Sequence, residues 1–307
     1  MAFQLKATES VSDGIKRNVR HQVEKALDHL SAKGKAHRTR ASENEGVREV
    51  RKCFKRVRAA LRLVREDLGD DVYREENWCF RDAARPLTDV RDAEVFVEIV
   101  DELAQQFEEA TEPGAFAKIR EALLANQQEV TRRVLDEHRA FAAVKEIAVR
   151  ALARVANWRI ERAGWAALES GLRRVYRMGH RAFALASKNP SVENLHEWRK
   201  QAGYLWHQLQ LLEGAWTGSE KNLVEQTHHL STLLGDDHDL AVLREMLAAD
   251  PLAYGGHRML KRVFAVIDRR REELERQASA LGREVYKDSP EVFTSRIEAS
   301  MIYEEVN

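Results

Sequence analysis

The sequence is short of cysteine and proline, and it has no long apolar run. Its two cysteines, Cys53 and Cys79, have neither the spacing of a metal-ligand set nor the number of a disulfide framework. They read as buried free thiols of a reducing compartment. The opening MAFQLKATES lacks the apolar core of a signal peptide, and no stretch is apolar for long enough to span a bilayer. A soluble, cytoplasmic chain without a membrane partner is therefore expected. Five prolines (Pro86, Pro113, Pro190, Pro251, Pro290) fall where helices would begin or end. Glycines number 15 and form no phosphate loop, and there is no nucleophile elbow. Net charge is absent too, with 50 basic against 50 acidic residues, so overall charge calls for neither nucleic acid nor membrane.

What is abundant is helix-forming material. Runs of Ala, Leu, Glu, Arg and Gln fill the spaces between prolines, strand signals are missing, and 44% hydrophobic residues suffice for a sizeable core. The expected class is all-α. Apolar spacing and caps predict helices near 9–31, 44–68, 71–84, 88–109, 114–153, 164–187, 191–213, 219–234, 238–248 and 256–281. Residues 31–46 read as a basic, mobile connector. Residues 1–290 read as one domain, with helical halves at about 8–153 and 160–285, followed by a weakly specified tail at 291–307.

Parts of the chain repeat. GIKRNVRHQ at 14–22 matches GLRRVYRMG at 171–179, which aligns Lys16, Arg17 and Arg20 with Arg173, Arg174 and Arg177. VREVRKCFKRVRAALRLV at 47–64 matches LHEWRKQAGYLWHQLQLL at 195–212, aligning Arg51-Lys52 with Arg199-Lys200. RDAEVF at 91–96 matches HDLAVL at 238–243, aligning Asp92 with Asp239. Repeated helices in one order predict two similar helical bundles packed as pseudo-symmetric halves.

The helix at 44–68 carries the sharpest signal. Val47, Val50, Phe54, Val57, Leu61, Val64 and Leu68 form one apolar face. Arg48, Arg51, Lys55, Arg58, Arg62 and Arg65 run beside it at the same spacing, with Lys52 and Arg56 on the flanks. At 1.5 Å per residue the row is roughly 25 Å long. Like charges at this spacing repel by a few tenths of a kcal/mol per pair, so something should neutralise them. One candidate is internal. Residues 66–112 hold 16 acids against 4 bases, and Glu94, Glu98, Asp101, Glu102 and Glu108 could face the row. The other is a bound polyanion, gripped by arginine forks that match phosphate oxygens. The row contains no aromatic residue, which disfavours single-stranded nucleic acid.

These residues resemble the CHAD family, the conserved histidine α-helical domain. VREVRKCFKRVRAALRLVR, RPLTDVRDAEV, LHEWRKQAGYLWHQLQLL and LSTLLGDDHDLAVL carry the likeness, in the family's order, over most of residues 10–250. The resemblance implies two four-helix bundles related by a pseudo-twofold, polyphosphate held on a central basic surface, and association with polyphosphate granules and polyphosphate-metabolising proteins. By position, Arg51, Lys52, Lys55, Arg58, His196, Arg199 and Lys200 match the family's basic and histidine positions. Arg17, Arg20, Arg173 and Arg177 match on the first helix of each half. Two positions depart: Arg48 replaces the first-half histidine, and Gly203 replaces a second-half lysine. With Tyr204 and Trp206 beside that glycine, the first half should dominate an asymmetric site. The triphosphate-tunnel signature E-x-E-x-K does not occur, so a domain standing alone is expected.

Other constellations allow chemistry. Asp236-Asp237-His238-Asp239 could ligate a metal. It could equally supply a helix N-cap and an Asp239–Arg199 salt bridge. His196 could act as a general acid or phosphoacceptor, although no carboxylate partner is fixed. His228-His229 read as surface or core residues, and six tryptophans (Trp78, Trp158, Trp165, Trp198, Trp206, Trp216) as core or inter-bundle packing. No catalytic residue, metal ligand or cofactor is assigned. The alternatives to a binding module are a metal-dependent polyphosphate phosphohydrolase or phosphotransferase, and a scaffold for an acidic protein or RNA.

Overall fold

A computed structural model describes residues 2–31, 39–216 and 221–301. Among these residues there are twelve α-helices: α1 Val11–Ser31, α2 Arg40–Leu63, α3 Arg65–Leu68, α4 Asp70–Ala84, α5 Thr88–Phe107, α6 Ala115–Thr131, α7 Ala140–Val155, α8 Glu169–Lys188, α9 Val192–Leu212, α10 Lys221–Ala249, α11 His257–Val285 and α12 Pro290–Ala299. Among the described residues there is no β-strand, only an isolated bridge between Trp216 and Met301. No described helix is long and apolar enough to cross a membrane. The all-α expectation holds.

Hydrophobic periodicity positions α2. Val47, Val50, Phe54, Val57, Leu61 and Val64 are all buried, as are Cys53 and Ala60 between them. That face packs on α1 and α4, and α7 closes the ring by touching both of these helices. In the second half α8, α9, α10 and α11 form a comparable ring. The two rings draw on different elements. α5, which the repeat aligns with α10, pairs with α6 and leans on both α2 and α10. α2 therefore packs against α9 and α8 of the other half as well, and lies between the halves. This approach is close where α8 crosses the end of α2. A Cβ on Gly171 would sit 2.0 Å from the Leu63 carbonyl oxygen, so only glycine fits there.

Four helix expectations are corrected. α2 begins four residues early because the Thr39 hydroxyl caps it, accepting from the Ser42 amide at 3.2 Å; positions 32–38 of the connector lie outside the described residues. The single helix read over 114–153 is two, joined by a π-turn at Arg132–Glu137 and by Arg139 in the left-handed region (φ 48°). No Gly or Pro marks that break. The helices read at 219–234 and 238–248 are one continuous α10. Asp237 sits inside it rather than at a cap, and its buried carboxylate accepts from Arg271 Nε of α11 at 2.8 Å. Finally, the tail read as weakly specified carries α12. Ser289 caps it, Pro290 opens it, and Phe293 stacks on Tyr176 with centroids 3.7 Å apart.

Candidate anion-binding groove

A groove of about 690 Å³ opens where α2, α5, α9 and α10 meet. α2 contributes Arg48, Arg51, Lys52, Lys55 and Arg58, and α5 contributes Arg91. α9 supplies Arg199 and Lys200, so six of the eight lining cations come from the first half. The acids in the lining are Asp92 and Asp239, the pair the repeat aligned.

The partners of these cations decide what the groove can do. At its centre, Arg51, Lys55, Arg58 and Arg199 have no carboxylate within 4.0 Å among the described residues. Arg51 donates instead to the Thr88 hydroxyl at the start of α5. Arg58 donates through Nε to Asn77 Oδ1 (3.1 Å) and through Nη2 to the Tyr204 hydroxyl (3.2 Å). The Arg199 Nε is buried and has no hydrogen-bond partner. Neutral oxygens orient guanidinium groups without cancelling their charge.

The acidic helix is otherwise engaged. Glu94 and Glu98 pair with Arg91 of their own helix, and Asp101 holds Arg120 of α6 at 2.6 Å. Internal neutralisation by the 66–112 stretch thus fails at the middle of the row and reaches only Arg65, through Asp70; the other paired cations of the row and its flank use acids of their own helix. Arg48 pairs with Glu45, Lys52 with Glu49 (3.6 Å), and Arg65 with Asp70 (2.7 Å). The expected Asp239–Arg199 salt bridge does not form within 4.0 Å.

Crowding and enclosure shift the titrating groups. Lys55 as a residue keeps exposed surface, yet it lines the groove, whose walls surround its amine. Enclosure, followed by Arg51 and Arg199, pushes it down to about 8. Burial also lowers Arg51, Arg58 and Arg199, and it raises Asp92 and Asp239 despite their cationic neighbours. His238 is pushed down to about 4 by burial and then by Arg199. His196, whose ring lies 4.8 Å from that of His238, is lowered for the same reasons. Both imidazoles are therefore held toward the neutral form.

Several sequence-predicted residues stand elsewhere. Lys16, Arg17 and Arg20 on α1, and Arg173, Arg174 and Arg177 on α8, line no part of the groove. Arg17 is clasped by Glu9 (Nε to Oε2, 2.8 Å) and Arg173 by Glu169, both close in sequence, and Arg174 by Glu66 of α3. Arg62 and Arg65 are also outside the lining: Arg62 donates to the Arg58 carbonyl and to Asn77 Oδ1 (both 2.9 Å), and Arg65 lies beyond the end of α2 at Leu63. Arg62 lies 3.8 Å over the Tyr204 ring, and Arg65 lies 4.5 Å over Tyr73. His196 borders the groove through His238 without lining it. Trp78, expected in packing, is 52% exposed, and Cys79 is only half-buried while Cys53 is fully so. Among the described residues no group of three or more His, Cys, Asp or Glu is arranged for a metal ion.

Other lining residues escaped the sequence reading. Arg91 and Thr88 come from the segment read as acidic; Arg91's place beside the repeated Asp92 was the available signal. Tyr204, Trp206 and His228 line the second-half wall, so the groove does contain aromatic rings although the row itself has none. Those rings already carry partners: Tyr204 lies under Arg62, and Trp206 stacks on His207 (4.3 Å) and His228 (4.1 Å).

The all-helical body agrees with the family comparison. The CHAD domain family matches residues 21–248, most of the chain, and the protein belongs to that family. The crystal structure of the CHAD domain from the plant Ricinus communis superposes with a TM-score of 0.51 at 13% identity, covering 99% of this chain and 97% of that one. At that identity the likeness concerns the fold alone. A search of curated protein sequences finds no match.

Proposed function

We propose that this protein binds inorganic polyphosphate in the groove between α2, α5, α9 and α10, without catalysing a reaction on it. One observation carries the reading: Arg51, Lys55, Arg58 and Arg199 converge on one cavity with no carboxylate partner. A concave, partly desolvated cluster of one sign concentrates its field on an anion. A linear chain with a charge at every unit answers several cations at once. Arg48, Lys52 and Lys200 widen the cationic mouth: the exposed Glu45 can release Arg48 at little cost, the half-exposed Glu197 holds Lys200, and the buried Glu49, which lies 3.6 Å from Lys52, is held more closely by Lys25 at 2.6 Å. Asp92 and Asp239 share the lining without pairing with a cation among the described residues, and burial raises both toward the neutral acid, which weakens their competition with an anion. The cytoplasmic setting, and the targeting of granules or regulation of their enzymes, belong to this proposal through family likeness.

The occupied state of Tyr204 and Trp206 favours a simple polyanion over a stacked base. Calorimetric titration with long-chain polyphosphate at rising salt tests the proposal. Each phosphate contact steepens the fall of log K with log salt by roughly 0.7, as for single strands, so four or more contacts predict a slope steeper than about −3. Salt-indifferent or undetectable binding rejects the reading. Release of phosphate on adding Mg²⁺ or Mn²⁺ would replace it with the phosphohydrolase alternative. Competition by RNA or heparin at equal charge would replace it with a scaffold for acidic polymers.

A further inference from the structure

A second cavity, of about 230 Å³, lies on the other side of the α2 row, facing the end of α4 and the turn into α5. It shares Arg51, Lys55, Arg58 and Thr88 with the main groove, so these four side chains form a partition between the two spaces. Arg81 and Arg85 stand on its outer side. Five cations therefore line this small space, and no carboxylate does. Arg85 is exposed and has no ion pair within 4.0 Å among the described residues. Arg81 is held by its sequence neighbour Asp82, at 2.9 Å in an exposed pair that contributes little, and lies 5.8 Å over the exposed Trp78 ring, which leaves its charge uncancelled. The rest of the lining is Phe54, Phe80 and Ala84, which offer no counter-charge.

The partition itself is polar and neutral at one point. The Arg51 guanidinium donates to the Thr88 hydroxyl, which links α2 to the first residue of α5. A phosphate oxygen is a stronger acceptor for a guanidinium than a hydroxyl is. An anion arriving on either side can therefore draw Arg51 to itself and open this link.

We infer that the second cavity is a phosphate subsite for one end of an extended polyphosphate whose main body occupies the groove, an inference that rests on the polyphosphate reading above. The chain crosses the α2 row beside Arg51 and meets Arg81 and Arg85 beyond it. A short oligophosphate is satisfied by the groove alone; a long chain reaches both spaces. Arg81 and Arg85 thus set a preference for chain length.

The test compares tripolyphosphate with long-chain polyphosphate on wild-type protein and on an Arg81→Ala/Arg85→Ala double variant. The expected result is an approximately tenfold rise in Kd for the long chain, from two lost cation–phosphate contacts, with tripolyphosphate binding unchanged. Arg81→Lys/Arg85→Lys retains the charges and should recover most of the long-chain affinity, and the melting temperature of all forms should coincide. Unchanged long-chain affinity in the alanine variant overturns the subsite, as does an equal loss for both ligands. Wild-type protein that binds neither ligand overturns the polyphosphate reading itself, an outcome distinct from either of these.

Discussion

The Arg62 guanidinium lies 3.8 Å from the centroid of the Tyr204 ring, which joins α2 of the first half to α9 of the second. The same tyrosine accepts a hydrogen bond from Arg58 through its hydroxyl, so one side chain steadies two cations of the row. Replacing Tyr204 with Leu should lower unfolding free energy by about 1 kcal/mol, the scale of a partly desolvated cation–π contact. Tyr204→Phe keeps the ring and should cost less. Urea denaturation of the three proteins checks the order; equal stability of wild type and Tyr204→Leu would show that the contact does not hold the halves.

Two helical glycines should respond oppositely to substitution. A Cβ on Gly171 would meet the Leu63 carbonyl oxygen at 2.0 Å, so Gly171→Ala must push α8 from α2 and should cost about 3 kcal/mol. A Cβ on Gly203 meets nothing nearer than Ser231 Oγ at 3.6 Å, and this position lines the groove. Gly203→Lys should fold normally and strengthen polyphosphate binding about fivefold at low salt, through one added phosphate contact. Melting curves and titrations of both variants measure the contrast.

Affinity should depend on pH through Lys55. Its amine titrates at about 8 in the unliganded groove, facing Arg51 and Arg58 of α2, Arg91 and Asp92 of α5, Arg199 of α9, and Asp239 and His238 of α10. A bound polyanion favours the charged amine and raises that value. Binding above pH 8 must then take up a proton, so affinity falls by up to about tenfold per pH unit between pH 8 and 9.5. For stability the sign is opposite. The folded value lies below the ordinary 10.5, so the unliganded protein gains stability as pH rises from about 8 toward 10.5. Lys55→Arg should flatten the binding profile over this range; a slope that survives the substitution assigns the proton to another group.

The fold was legible because α2 and its neighbours obey helical periodicity: every apolar position from Val47 to Val64 is buried where the spacing puts it. Breaks without Gly or Pro were not legible, as at the π-turn before Arg139, and neither was the continuation of α10 through Gly235. In that helix a buried tertiary pair, Asp237 with Arg271, replaces a local cap. The cations at the groove centre were legible as a run of like charges on one face. Their partners were not, since Thr88, Asn77 and Tyr204 come from three other helices. The arginine clusters of α1 and α8 misled because a repeated basic residue signals a repeated helix position; Arg17 and Arg173 are taken by nearby carboxylates, and Arg174 by Glu66 of α3. The same limit hid Arg85: nothing at position 85 tells a reader of the sequence that the end of α4 folds back on the row.

The central claim is that the middle of the α2 row is charge without an internal counter-charge. An Arg51→Gln/Lys55→Gln/Arg58→Gln variant examines it most directly, with denaturation and polyphosphate titration measured on the same preparation. Removing repulsion should leave stability equal to or above that of wild type, while affinity for long-chain polyphosphate falls by about a hundredfold or more at low salt. A variant that is strongly destabilised and still binds at wild-type strength would contradict the account, because those three side chains would then be holding the fold together rather than waiting for an anion.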